Sequence, residues 1–200
     1  LHAQYHVAHM STAGAVELMR AARQKHLPVT CEVTPHHFSL TEEAVRTFDT
    51  NTKMNPPLRT LEDVEAIKAG LHDGTIDVIA TDHAPHTFDE KQKEFAFAPF
   101  GIVGLETAIG LSFTNLVHTR VLSIIQLIEK LSTNPRTILH LPIIRIAEGQ
   151  QANLSLIDPN LEWIVDIAQF KSKSKNSPFD KWTLKGKAIG VINNNAYSFL

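Results

Sequence analysis

His9 follows the apolar run 4–8, Thr34-Pro35-His36-His37 follows the run 28–33, and Asp82-His83-Ala84-Pro85-His86 follows the run 77–81. Each run is short and rich in apolar and β-branched residues, the pattern of a buried strand. A polar group that ends such a strand needs a cation or a partner once it is buried. Imidazoles gathered with a carboxylate are the donors that zinc-like divalent cations take. If the three runs are parallel neighbours, their ends share one rim, and the chemistry expected there is metal-dependent hydrolysis. Taken singly, each cluster is weaker. His2, His6, His26, His72, His118 and His140 are read as hydrogen-bonded structural residues, and Asp82 alone could simply cap a turn.

The elements that must position these groups alternate along the first 140 residues or so. Ser11 or Thr12 caps a helix running to His26, with Val16, Leu18, Met19 and Ala22 apolar. Thr41-Glu42-Glu43 opens a short helix, and Thr60 followed by Asp63 starts a longer one that Gly74 ends. The segment 83–104 reads as a long ordered loop, because it holds Phe95, Phe97 and Phe100. Helices are expected at 105–118 and 122–131, with another opening at Asn134-Pro135-Arg136. The fold class is therefore α/β. Three strand–helix units are too few to close an eight-stranded barrel and suit the last part of one.

Composition changes near Pro142. Four short β stretches follow, at 153–157, 162–165, 182–185 and 188–192, separated by polar turns. The expected organisation is a partial barrel over 1–141 and a small β segment with a C-terminal tail over 142–200. Lys171-Ser172-Lys173-Ser174-Lys175-Asn176-Ser177 reads as a solvated loop.

A net charge of −2 argues against a nucleic-acid footprint. No apolar run approaches the roughly 18 residues of a membrane span. Cys31 is the single cysteine, so no internal disulfide forms, and a cytoplasmic setting is expected. The chain opens at Leu1 on a strand already under way, which reads as a piece of a longer protein.

Thr81-Asp82-His83-Ala84-Pro85-His86 resembles the signature of the dihydroorotases, the bacterial barrel type within the amidohydrolase superfamily. Similar to it in order and spacing are His9-Met10-Ser11-Thr12, Glu32-Val33-Thr34-Pro35-His36-His37 and Lys53-Met54-Asn55-Pro56-Pro57-Leu58-Arg59. Ala98-Pro99-Phe100-Gly101-Ile102-Val103-Gly104-Leu105-Glu106-Thr107 and the tail 170–179 extend the likeness over essentially the whole chain. The resemblance implies a distorted (β/α)8 barrel with a small β domain and a binuclear zinc site. It implies reversible cyclisation of N-carbamoyl-L-aspartate to L-dihydroorotate in de novo pyrimidine (UMP) biosynthesis. By the same resemblance, His9 is a zinc ligand. Asp82 binds metal and is catalytic, acting as general base on the bridging water in hydrolysis and as acid in return. Asn55 and His86 bind substrate, and the backbone at Phe100 and Gly101 closes against it.

Glu32, His36 and His37 are expected to support the site, and Arg59 to be an exposed helix-start residue. The family's His-x-His pair, bridging carboxylate, further histidine and substrate arginine have no counterpart here. Asn153 stands where relatives usually carry aspartate. The expectation is thus the C-terminal part of a dihydroorotase, cut before half its metal site and inactive alone. Two alternatives stay open: another cyclic amidohydrolase (allantoinase or dihydropyrimidinase), or a non-catalytic dihydroorotase-like subunit partnering aspartate transcarbamoylase. A homodimer is the other partner expectation.

Overall fold

The computed structural model describes residues 3–193 and 196–199. Leu1 and His2, read above as a strand entry and a structural histidine, lie outside the described residues.

Three parallel strands in the order β1-β2-β3 form the first sheet. β1 is Tyr5–Val7, and α1 (Ala13–Gln24) follows, its first turn capped by Thr12, whose hydroxyl accepts from Ala15 N–H. β2 is Val29–Val33, central in the sheet, followed by a single turn, α2 (Pro35–Ser39). A 3₁₀ turn at Glu42–Val45 answers the short helix expected there. α3 (Leu61–His72) is capped by Thr60, and the left-handed Gly74 (φ 83°) follows its end, as its sequence signals require.

β3 is only Val78–Ile79, shorter than the expected strand, although Ala80 N–H still bonds to Val33 O. Its amino-terminal side is locked by Asp77, which accepts from Cys31 N–H and from the Arg23 guanidinium. The buried Lys130 ammonium donates to Ile76 O beside it. The Cys31 thiol is fully buried and burial pushes it up to about 12, so it is inert packing.

The segment 83–104 contains one element, α4 (Phe88–Lys91), fixed by a capping box between Thr87 and Glu90. The helix expected at 105–118 starts later, as α5 (Ala108–Ser112), and widens into a π-turn at Phe113–Val117. The two helices expected after it run together: α6 (Ile124–Ile128), a π-turn (Glu129–Thr133) and α7 (Asn134–Ile138). Pro135 lacks an N–H, and the wide turn falls immediately upstream of the gap it leaves in the helical ladder.

Beyond an exposed irregular stretch, the four expected β stretches merge into two long strands. These are β4 (Asn153–Ile164) and β5 (Thr183–Asn193), antiparallel, with β6 (Ala196–Phe199) on the outer side of β5. Bulges at Leu156/Ile157 and Asp158/Glu162 supply the breaks that the sequence presents as strand ends. β5 lies directly on α5, where Gly110 leaves room for Leu184 and Trp163. One core therefore includes Val33, Leu111, Phe113, Val165, Phe179 and Leu184.

The tail between β4 and β5 is not a solvated loop throughout. Asn176 and Ser177 are buried, and Phe179 is fully buried, stacked on His36 (centroids 5.9 Å apart) and edge-on to Trp182 (5.1 Å). Phe179→Ala leaves a ring-sized void and should lower stability by about 3–5 kcal/mol. A urea denaturation midpoint unchanged from the parent chain would contradict that packing.

Candidate active site

The carboxyl ends of the three strands do meet at one rim. The chain leaves β1 through His9 (φ 54°) and leaves β3 through Asp82 (φ 43°), both left-handed. That conformation costs a non-glycine residue about 1–2 kcal/mol. These two strained turns bring His9 Nε2 to 3.7 Å from Asp82 Oδ1. His9 Nδ1 lies 3.0 Å from Glu32 Oε1, although off hydrogen-bond alignment. Glu32 thus faces the Nδ1 side of the ring and Asp82 its Nε2 side. Glu32 Oε2 is 3.2 Å from His6 Nε2, and His6 Nδ1 is 2.7 Å from Thr30 Oγ1. His6, read from sequence as a bystander, is thus linked to the rim through Glu32. The other structural readings stand for His72 and His118, which bond to the carbonyls of Val121 and Pro159.

An imidazole nitrogen and a carboxylate oxygen are donor types that zinc takes, and Glu32 is placed to orient one of them. His9 and Asp82 therefore fit as two members of a metal-binding set. Among the described residues, no group of three or more His, Cys, Asp or Glu side chains is arranged to hold an ion.

His36 and His37, one turn beyond β2, are buried. His37 Nε2–H donates to Pro56 O at 2.9 Å, while its Nδ1 accepts from Thr34 Oγ1 at 2.8 Å. Burial lowers its pKa, so a neutral ring ties the Pro56-Pro57 peptide to the turn that follows β2. Asn55 itself is exposed. Among the described residues, neither nitrogen of His36 has a hydrogen-bond partner. Burial holds that imidazole at about 3, with His37 adding and the Thr81 backbone opposing. Arg59 is half-buried, its Nε 3.5 Å from Ser11 Oγ.

Three loop segments close together beside the pair: Lys53 to Asn55, Ala84 to His86, and Phe100 to Gly101. Gly101 N–H donates to Lys53 O, and Ala84 N–H donates to Ile102 O. Gly101 (φ 134°) has to be glycine, since a Cβ there would lie 2.6 Å from Ala84 Cβ and 3.1 Å from His86 Nε2. His86 Nε2–H donates to Phe100 O at 2.7 Å, and its Nδ1 lies 3.6 Å from Glu90 Oε2. His83 Nδ1 accepts from Gly104 N–H. The structure thus brings His9 to Asp82, and His86 to Phe100 and Gly101, with Asn55 two residues from the Lys53 link.

Sequence reading missed the donors that hold these loops. Lys53 Nζ donates to the carbonyls of Phe95, Ala96 and Ala98, and sits 4.8 Å from the Phe100 ring centre. The buried Lys91 ammonium donates to Thr50 O and Pro99 O, and burial brings it down to about 8. Asn176 reaches the same loops from the tail. A lysine flanking a proline-rich loop gives no signal of which carbonyls it will meet.

An imidazole–carboxylate pair on the strand-end rim of an α/β unit can contribute metal donors and move a proton. The comparisons narrow this. Residues 2–194 match the model of the amidohydrolase family, and the chain belongs to that family. It is 53% identical over 187 residues to the dihydroorotase of Pelotomaculum thermopropionicum, covering 94% of this chain and 44% of that relative. The L-hydantoinase (dihydropyrimidinase) of Arthrobacter aurescens superposes with a TM-score of 0.87 at 27% identity, over 98% of this chain and 46% of that one. The inactive dihydroorotase-like domain of the Chaetomium thermophilum CAD-like multifunctional protein gives 0.71 at 24%, over 97% and 50%. The chain thus spans under half the length of the curated relative, and half or less of these two solved chains.

His36 sets a pH dependence whose sign is fixed. Its folded value, about 3, lies below the ordinary 6.5, so the unfolded chain binds a proton that the folded chain refuses. Stability is complete above pH 6.5 and falls as pH drops toward 3. In metal-free buffer, His36→Gln should flatten the slope of the urea midpoint between pH 6.5 and 4. An identical slope in parent and variant would remove His36 as the cause.

Proposed function

We propose that the whole protein carrying this chain is a zinc-dependent dihydroorotase, interconverting L-dihydroorotate and N-carbamoyl-L-aspartate. The observation that carries the reading is the His9–Asp82 pair set beside a stitched three-loop cradle. Its support is 53% identity over 187 residues to a curated dihydroorotase. In the same proposal, 1–141 is the last part of a (β/α)8 barrel, with β1, β2 and β3 as consecutive strands of it, and 142–200 is a segment of a small β domain with the C-terminal tail. The setting is cytoplasmic, and the protein self-associates or joins aspartate transcarbamoylase. Among the described residues no helix is long and apolar enough to cross a membrane.

His9 and Asp82 would hold the metal, which supplies positive charge to polarise the ring amide carbonyl. Asp82 manages the proton. In ring opening its carboxylate accepts a proton from the attacking water and delivers it to the departing ring nitrogen; ring closure runs the same transfers backwards. Glu32 keeps the His9 ring oriented. Asn55 can both donate and accept, which suits the ring or ureido amide. His86 meets the substrate carboxylate once its Nε2 proton leaves Phe100 O. The Phe100-Gly101 backbone closes the cradle, as only a glycine can lie so near Ala84.

A second reading has its own support: the L-hydantoinase and the inactive dihydroorotase-like domain share this fold. Turnover by the whole protein separates the readings. Dihydroorotate should be hydrolysed and allantoin and dihydrouracil not; activity on that pair alone, or on none, sinks the proposal. Asp82→Asn should lower kcat by about 10²–10⁴ at unchanged fold. For the 200-residue chain alone, zinc titration should find fewer than two tight sites, since among the described residues no third donor joins His9 and Asp82 to hold an ion; two tight sites would contradict this geometry.

A further inference from the structure

Asn176 sits in the tail between β4 and β5, 5% exposed, amid lysines and serines. Its Nδ2 donates to Ala84 O at 2.9 Å and to Gly101 O at 3.1 Å. Its Oδ1 accepts from His86 N–H at 3.2 Å. Its own carbonyl accepts from Val103 N–H at 3.0 Å. One buried side chain thus engages both amide hydrogens and its oxygen on two loops that lie 75 to 92 residues away.

The tail around it is anchored independently. Glu106 Oε1 accepts from Ser172 N–H, Lys175 Nζ donates to Phe170 O and Ser172 O, and Phe179 packs on His36. Asn176 is therefore delivered by a fixed segment. It spans the gap between Ala84-Pro85-His86 and Phe100-Gly101 without lying in either.

We propose that Asn176 is a positioning residue: it sets the spacing of the two ligand-facing loops and so governs substrate affinity, not the proton transfer. The proposal rests on the dihydroorotase reading for the identity of the ligand. Isosteric Asn176→Asp keeps the accepting oxygen but turns a carboxylate oxygen toward two carbonyls. Asn176→Ala removes all three side-chain bonds.

The experiment has two arms. Hydrogen exchange on the 200-residue chain should show 84–86 and 101–103 exchanging at least about tenfold faster in both variants, with β1 and β2 unchanged as the fold control. Steady-state kinetics on the whole protein should show KM for dihydroorotate raised about tenfold or more, with kcat within about threefold. Unchanged exchange in a folded variant, or a fall in kcat at constant KM, overturns the proposal. If Asn176→Asp loses protection in β1 and β2 as well, Asn176→Ala decides by the same two readouts; global loss in both variants makes the residue structural and also overturns it. Turnover by the unsubstituted protein is scored first, so failure of the dihydroorotase reading stays distinct from failure of the clamp.

Discussion

Parallel pairing around β2 is the constraint on which the rest depends. Strands that run the same way place their carboxyl ends on one edge, and each must then leave the sheet there. In this chain the exits from β1 and β3 are left-handed turns at His9 and Asp82, not glycines. Strain of this kind persists only where surroundings over-determine it. Glu32 faces the imidazole, and the His83–Ile102 bridge continues beside Asp82. The sheet therefore delivers two polar side chains to within 3.7 Å of each other, a placement independent loops would not maintain.

Loops that long create a second problem, which is a surplus of carbonyls. Prolines at 85, 99 and 56 contribute acceptors and no donors, and the segments are too irregular to satisfy themselves. Long side chains supply what is missing. Lys53 caps three carbonyls, Lys91 two and Lys175 two, while Asn176 caps two and returns an acceptor. A buried ammonium is costly unless surrounded by such oxygens, so each lysine and its loop stabilise one another. These cations are structural donors, in keeping with a chain of slight negative charge.

What the sequence revealed follows the range of the interactions. Thr60 was legible as a cap, and the first cap was narrowed to Ser11 or Thr12, because an N-cap is decided within three residues. The strand-end groups were legible because period and composition mark strands. The capping box at Thr87 and Glu90 carried the same local signal, hidden inside a segment read as loop. Merging of the β stretches into β4 and β5 depends on bulges, which look like strand ends in one dimension. His6 and Asn176 were out of reach: each takes its role from partners far along the chain, and Lys-Ser-Lys-Asn-Ser looks solvated until Phe179 buries it against His36.

The two halves of the candidate site rest on different physics. The His9–Asp82 pair, as a proposed metal site, depends on charge and donor number, and among the described residues no third donor joins it to hold an ion. The cradle depends on backbone hydrogen bonds and close packing, and it is closed within this chain, from Lys53 through Gly101 to Asn176. An assembly built this way can lose metal affinity without losing the loop geometry, because the lysines and Asn176 hold the loops without help from an ion. Asp82 stands four residues before His86, but the His83–Ile102 bridge separates the strand exit from Ala84-Pro85-His86. A shift of 84–86 therefore changes the cradle and leaves the carboxylate at the end of β3. In the proposed reading, recognition and proton transfer are thus held by different contacts, and the tail that carries Asn176 acts on the first.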